Sequence, residues 1–294
     1  MIRELSNNEV NALHYELLMR DIISAAEKLP PFPDVAWKIT SLIRKMAPPK
    51  ELESVIRLDQ ALSARIIRLS QGVCFGRRYD VRSLQDAMLL LGNKRLLQVI
   101  ISTCASRYFE RVGCGQDERD MWEHSVATAL MSEIVCRSLG HKKIITVYTA
   151  ALLHDIGKTI LSIYAKIYLH QNLHRIRGNG NCIKSEQRAM GIDHQELGGM
   201  IARNWKFPAE LTAAIQHHHD PERAGQYKDI ASIVYVANEL AELAVDTPES
   251  AHAPTIDPER DPIFRQMGIS LKMAEEFLVL LTKNLHGVKR MLAG

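Results

Sequence analysis

Apolar residues recur three and four positions apart along almost the whole chain, and proline or glycine repeatedly cuts the pattern short. That spacing puts side chains on one face of an α-helix. The alternating pattern of a half-buried strand is nearly absent. The fold class is therefore all-α. The spacing predicts a first helix over about 15–28, closed by Leu29-Pro30-Pro31-Phe32-Pro33, because proline has no amide proton and clashes with the preceding turn. Asp34 is then placed to cap a helix with Val35, Ile39, Leu42, Ile43 and Met46 on one face, which Pro48-Pro49 stops. Helices are expected over about 51–58 and 60–70. Gly72 and Gly76 mark a loop, and Ser83 and Asp86 have capping-box spacing. Further helices are read near 94–109, 118–139 (ended by Gly140), 142–156, 159–175, 183–190, 194–204, 209–219 and 229–244. Asp193 and Glu196 cap the one beginning at His194. Four prolines make 246–262 a loop, and Ser270 caps a last helix to about 291.

With 46% hydrophobic residues, the chain can bury a sizeable core. Its net charge of +3 is scattered, without the basic stripe of a nucleic-acid protein, so no nucleic-acid partner is expected. Five cysteines with no Cys-x-x-Cys pair argue against a disulfide framework or a cysteine zinc site. No apolar run reaches the roughly 18 residues of a membrane span, and the first residues are charged. A cytoplasmic location with no membrane partner is the expectation.

Chemistry concentrates in Ala151-Leu-Leu-His154-Asp155-Ile-Gly157-Lys158. Adjacent His and Asp can offer a metal one neutral nitrogen and one anionic oxygen. Partners are available in His124, His194 and the run His217-His218-His219. Such sites assemble between helices from residues far apart in sequence. Asp155, directly after His154, is the natural bridge between two ions. If the run is helical, its three histidines point about 100° apart and cannot all face one point. Lys158 is a candidate for holding a substrate phosphate, or an ordinary solvated lysine. His14, His141, His170, His174, His252 and His286 are read as core or surface residues.

These residues resemble the HDOD (HD-related output domain) family of bacterial signalling proteins, relatives of the HD and HD-GYP metal-dependent phosphohydrolases. The likeness runs from about Ile23 to Leu243. It is carried by Leu29-Pro-Pro-Phe-Pro-Asp-Val-Ala, Leu58-Asp-Gln-Ala-Leu-Ser-Ala-Arg, Phe75-Gly-Arg-Arg-Tyr-Asp, Trp122-Glu-His124, His154-Asp-Ile-Gly-Lys158, Gly191-Ile-Asp-His194-Gln-Glu-Leu-Gly198, Trp205-Lys-Phe-Pro208 and His217-His-His-Asp-Pro221. The resemblance implies an N-terminal helical subdomain (23–115, after an extension over 1–22) packed on an HD-like bundle (116–245), then a proline-rich loop and C-terminal helix (246–294). It implies one or two divalent ions, iron, manganese or similar. By analogy with HD-GYP phosphodiesterases, His124, His154 and Asp155 would hold the first ion. Asp155 would bridge to a second on His194, His218 and His219. Asn238 stands where the first ion's closing aspartate is expected, and an amide brings no charge. The Gly-Tyr-Pro segment of the phosphodiesterases is replaced by Asp220-Pro-Glu-Arg-Ala-Gly-Gln-Tyr-Lys-Asp229, so cyclic di-GMP hydrolysis is not supported. Ser70-Gln71-Gly72 is a further departure, at a position usually holding Asn-Ser. The expected function is a signalling module that retains the metal site and works through signalling-protein partners, self-association included. The alternative is a metal-dependent phosphohydrolase, with Lys158 then in a catalytic role.

Overall fold

The computed structural model describes residues 7–29, 32–70, 81, 83–112, 116–168, 182–244 and 257–292. Among them there is no strand, and the chain is all-α. The loop at Gly72 and Gly76, the glycines of the 113–117 segment, residues 169–175 and most of the proline-bearing 246–262 stretch lie outside the described residues.

The chain forms two compact units, residues 31–111 with 285–294, and residues 1–30 with 112–284. The smaller unit contains α2 (Asp34–Arg44), α3 (Pro49–Ile56), α4 (Gln60–Ser70) and nearly all of α5 (Leu84–Val112). Ile39, Ile56, Leu62, Ile66, Leu96 and Ile100 form its core. Asp34 does not cap α2. Pro33 holds the cap position with no side-chain cap, and Asp34 is the first helical residue, where its carboxylate faces the positive end of the helix dipole. Pro48-Pro49 begins α3 as well as ending the preceding run, since a proline at the first helical position gives up no hydrogen bond. The expected Ser83 cap is present, its hydroxyl accepting from the Asp86 amide at 3.0 Å. α5 carries the two expected helical stretches around one kink, at Gly92 (φ 68°, ψ 163°).

The larger unit opens with α1 (Asn7–Glu27), which starts earlier than expected and packs on later helices of the same unit. It continues with α6 (Gln116–Ser138), α7 (Ile144–Leu153), α8 (Ile156–Tyr168), α9 (Cys182–Met190), α10 (His194–Asn204), α11 (Ala209–Gln216), a 3-10 helix (Pro221–Tyr227), α12 (Lys228–Ala244), α13 (Pro262–Gln266) and the part of α14 (Leu271–Leu292) up to Asn284. Gly140 ends α6 with φ 66°, and the His141 amide reaches back to the Cys136 carbonyl at 2.8 Å. Ser270 caps α14 through the Met273 amide at 3.4 Å.

Two helices end sooner than periodicity predicts. The run 142–156 breaks at His154-Asp155, which form the turn between α7 and α8. Helix α11 stops at Gln216, so the three histidines lie in a turn. The stretch Ile144–Tyr168 is long and apolar enough to cross a membrane, contrary to the sequence reading, but 83% of its most apolar window is buried inside the fold. Every residue from Val147 to Ser162 is buried. A segment apolar on all sides is what the centre of a helical unit requires.

Candidate metal centre

Four parts of the larger unit converge on the α7–α8 turn. His124 comes from the middle of α6, and His154 and Asp155 from the turn itself. His194 is the first residue of α10, His218 and His219 follow α11, and Asn238 lies on α12. Helices α8 and α10 meet at backbone contact. A Cβ on Gly157 would lie 2.1 Å from the His194 carbonyl oxygen, so only glycine fits beside Asp155. Helix α10 begins where it does because Asp193 caps it, accepting from the Glu196 amide at 2.9 Å. That cap brings His194 to the turn.

The imidazoles are oriented from behind. Nδ1 of His154 donates to the Ala151 carbonyl at 2.7 Å, Nδ1 of His218 to the Ile215 carbonyl at 2.8 Å, and Nδ1 of His194 to Glu186 Oε2 at 2.7 Å. With Nδ1 carrying the proton, each Nε2 lone pair faces inward. Nε2 of His194 and of His218 then lie 3.2 Å apart. Two nitrogens held about 2.0–2.1 Å from a tetrahedral ion are separated by roughly 3.3 Å.

Asp155 sits at the centre, 2% exposed. Its Oδ2 lies 3.2 Å from His154 Nε2, 3.8 Å from His124 Nε2 and 2.5 Å from Lys158 Nζ. Its Oδ1 lies 3.4 Å from His194 Nε2 and 3.7 Å from His218 Nε2. Asp155 Oδ1 and His154 Nε2 are buried and have no hydrogen-bond partner. Buried lone pairs of this kind are rare in proteins, and a bound cation is one way to satisfy them. Among the described residues, two groups of side chains could hold a metal ion, His124 with His154 and Asp155, and His194 with His218 and His219. Each group's donor atoms lie within 4.8 Å of one another. The residues present therefore fit a divalent ion.

Charges in the cluster are set by burial and by neighbours. Burial is the largest influence on Asp155 and favours its neutral acid, but the neighbouring His154, Lys158 and His194 outweigh it and hold the carboxyl well below its usual range. Burial, then the adjacent imidazoles, push His218 and His219 well below theirs, so both are neutral near pH 7. A neutral imidazole is the form that binds metal.

Asn238 is brought to His124, whose Nε2 donates to Asn238 Oδ1 at 2.9 Å, and Thr128 Oγ1 lies 3.4 Å from the same nitrogen. Lys158 is 3% exposed and paired with Asp155, so the solvated-lysine alternative does not hold. His217 is half-buried and belongs to neither group of candidate ligands.

Glu186 was not singled out from the sequence. It is fully buried and accepts from both the His194 amide at 2.9 Å and the His194 ring. The available signal was an acid on a buried stripe, four positions before Met190. Glu239, next to Asn238, is pushed up to about 8, chiefly by burial and then by Glu242, while a hydrogen bond from Asn238 acts in the opposite sense.

Comparison with known proteins agrees with this architecture. Ribonuclease Y of Thermus thermophilus is 28% identical over 106 residues, which are 36% of this chain and 14% of that protein. Ribonuclease Y of Deinococcus radiodurans is 30% identical over 104 residues, 35% and 14%. The matched region thus spans only about a seventh of these relatives' length. Among solved structures, an HDOD domain protein of unknown function from Geobacter sulfurreducens superimposes with a TM-score of 0.69 at 22% identity, covering 96% of this chain and 97% of that one. A protein designated a signal transduction protein, from Marinobacter aquaeolei VT8, gives 0.68 at 18% identity, covering 95% and 66%. One designated a phosphohydrolase, from Shewanella amazonensis SB2B, gives 0.64 at 21%, covering 89% and 93%. At these identities the likenesses establish a common fold. The model of the HDOD domain family matches residues 29–221, well over half of the sequence, and the chain belongs to that family.

Proposed function

We propose that this protein is a signalling output module of the cytoplasm that acts by binding partner proteins, self-association included, and that its histidine–aspartate centre holds metal for structural ends. One observation carries the reading. All of the donor set but His219, which is half-buried, is shut away from solvent, with His154, His194 and His218 at 0% exposure, Asp155 and Asn238 at 2%, and His124 and Lys158 at 3%. A hydrolytic metal centre keeps an open coordination position and a way in for substrate, whereas a structural centre is closed. After the histidines, Pro221–Tyr227 forms a 3-10 helix with Pro221 and Ala224 buried, in place of a substrate-shaping segment. The test is turnover of p-nitrophenyl phosphate, nucleotides, cyclic dinucleotides and an RNA oligonucleotide by protein supplied with Mn²⁺ or Zn²⁺. The RNA is included because of the ribonuclease likeness. No turnover above the metal-only background is expected. Metal-dependent turnover abolished by His154→Ala would overturn the reading.

A second reading, metal-dependent hydrolysis of a phosphate ester, is favoured by the partnerless Asp155 Oδ1 and His154 Nε2 beside a buried lysine. A metal bound there would lower the pKa of a coordinated water to about 7. His154 and Asp155 would hold that ion, and Lys158 would have to leave Asp155 to meet an incoming phosphate. Negligible metal in protein purified without chelators would exclude this reading.

A further inference from the structure

We infer that the chain holds one divalent ion, on His194, His218, His219 and Asp155 Oδ1, and that Lys158 with the His124–Asn238 hydrogen bond takes the place of a second. This rests on the metal-centre reading above and fixes its stoichiometry and position. The two oxygens of Asp155 face different surroundings. Oδ2, on the His124 and His154 side, is engaged by the Lys158 ammonium at 2.5 Å. Oδ1 faces His194 and His218 at 3.4 and 3.7 Å and has no hydrogen-bond partner.

The donors divide in the same way. An amide oxygen carries no proton, so at 2.9 Å from Asn238 Oδ1 the His124 Nε2 must carry one, and its lone pair is not available. Asn238 adds no charge. The His124 side therefore offers His154 Nε2 and a carboxylate oxygen already neutralised by an ammonium. An ion placed there would meet that ammonium at close range, and at 3% exposure water does little to screen the repulsion. The other side has two inward Nε2 lone pairs 3.2 Å apart, His219 grouped with them, and an anionic oxygen with nothing to bond. Of the two Asp155 oxygens, Lys158 engages Oδ2 and not Oδ1. Three imidazoles and one carboxylate oxygen are a set suited to Zn²⁺ or a similar borderline ion.

The experiment is zinc stoichiometry of the full chain, by elemental analysis after dialysis and by calorimetric titration, with circular dichroism of each variant. One Zn²⁺ per chain is expected. It should be retained in His124→Ala, lost in His218→Ala, and joined by a second in the double variant Asn238→Asp with Lys158→Met. Because His218→Ala removes a fully buried ring, the folded His124→Ala and double variants decide the matter independently of it. Two ions in the wild type, loss of the ion in His124→Ala, or no second ion in the double variant would each overturn the inference while leaving a metal centre in place. No ion at all in the wild type would overturn the metal-centre reading together with it.

Discussion

Gly157 is the residue on which the centre's geometry turns. An added Cβ would lie 2.1 Å from the His194 carbonyl oxygen and 2.9 Å from the Gly198 amide, both backbone atoms that cannot rotate aside. Gly157→Ala must separate the starts of α8 and α10, and overpacking of this kind costs about 1–3 kcal/mol. The expected result is a lowered unfolding midpoint together with weaker zinc binding, because the same shift moves His194 from Asp155. A variant that binds zinc as tightly as the wild type would disprove the coupling. Glu186 acts on the same histidine from behind. Its carboxylate fixes the His194 ring through Nδ1, and loss of such a partner costs roughly 10- to 100-fold in metal affinity. Glu186→Leu should show the upper end of that range in a chelator competition. Glu186→Gln, which keeps an acceptor, should show the lower. Equal affinities in all three proteins would mean that Glu186 only fills space.

At the scale of elements, the turn between α3 and α4 shows how one side chain can fix two helices. Asp59 Oδ1 accepts from the Leu62 amide at 3.0 Å, capping α4, and its two oxygens take Arg107 of α5 at 2.5 and 2.9 Å. The Arg107 hydrogen bonds, ahead of the cap, hold the Asp59 carboxyl below its ordinary value of 3.8, against an opposing contribution from burial. A carboxyl lowered in the folded state stabilises the fold above its unfolded pKa, and that stability is lost as pH falls through the folded pKa. The side chains of Asp59 and Arg107 are 26% and 35% exposed, so water screens the pair and its ionic part is worth at most about 1 kcal/mol. Denaturant midpoints of wild type and Asp59→Asn should therefore differ near neutrality and converge in acid, below the folded pKa. A gap that persists in acid would assign the effect to the cap alone. Caps and stops were the legible part of the sequence, because they are local. The Asp193–Glu196 cap, the Gly140 terminus and the Ser83 cap are all set within a few residues. The ends of α7 and α11 were not legible. Neither His154-Asp155 nor the histidine run contains a proline or glycine, so local chemistry permits the helix to continue, and tertiary packing ends it. The candidate residues were legible as a set of types, and the fold places His124, His154, Asp155, His194, His218, His219 and Asn238 around one turn. What was hidden was the support around them. Glu186 looks like any helical glutamate until its burial is known, and the engagement of Lys158 with Asp155 depends on side-chain direction.

At the scale of the molecule, the decisive fact is that every candidate ligand belongs to one compact unit while the other has a core of its own. A ligand that binds only folded protein stabilises it by RT ln(1 + [L]/Kd), about 2.7 kcal/mol at a free concentration 100 times Kd. The stabilisation applies to openings that dismantle the site. His154 and Asp155 lie in the turn between the buried helices α7 and α8, so full exposure of Ala150, Leu152 or Leu161 to solvent requires that the site come apart. Amides there that exchange through such opening should slow roughly 100-fold on zinc addition. Amides of Ile39, Ile56 and Ile66, whose core lies in the smaller unit, should keep their rates if that unit opens on its own. Hydrogen exchange with and without zinc measures both sets in one sample. Slowing confined to the first set identifies the ion as a stabiliser of the larger unit. Equal slowing in both shows that the two units open together, and no slowing in either shows that the buried histidines do not hold the ion.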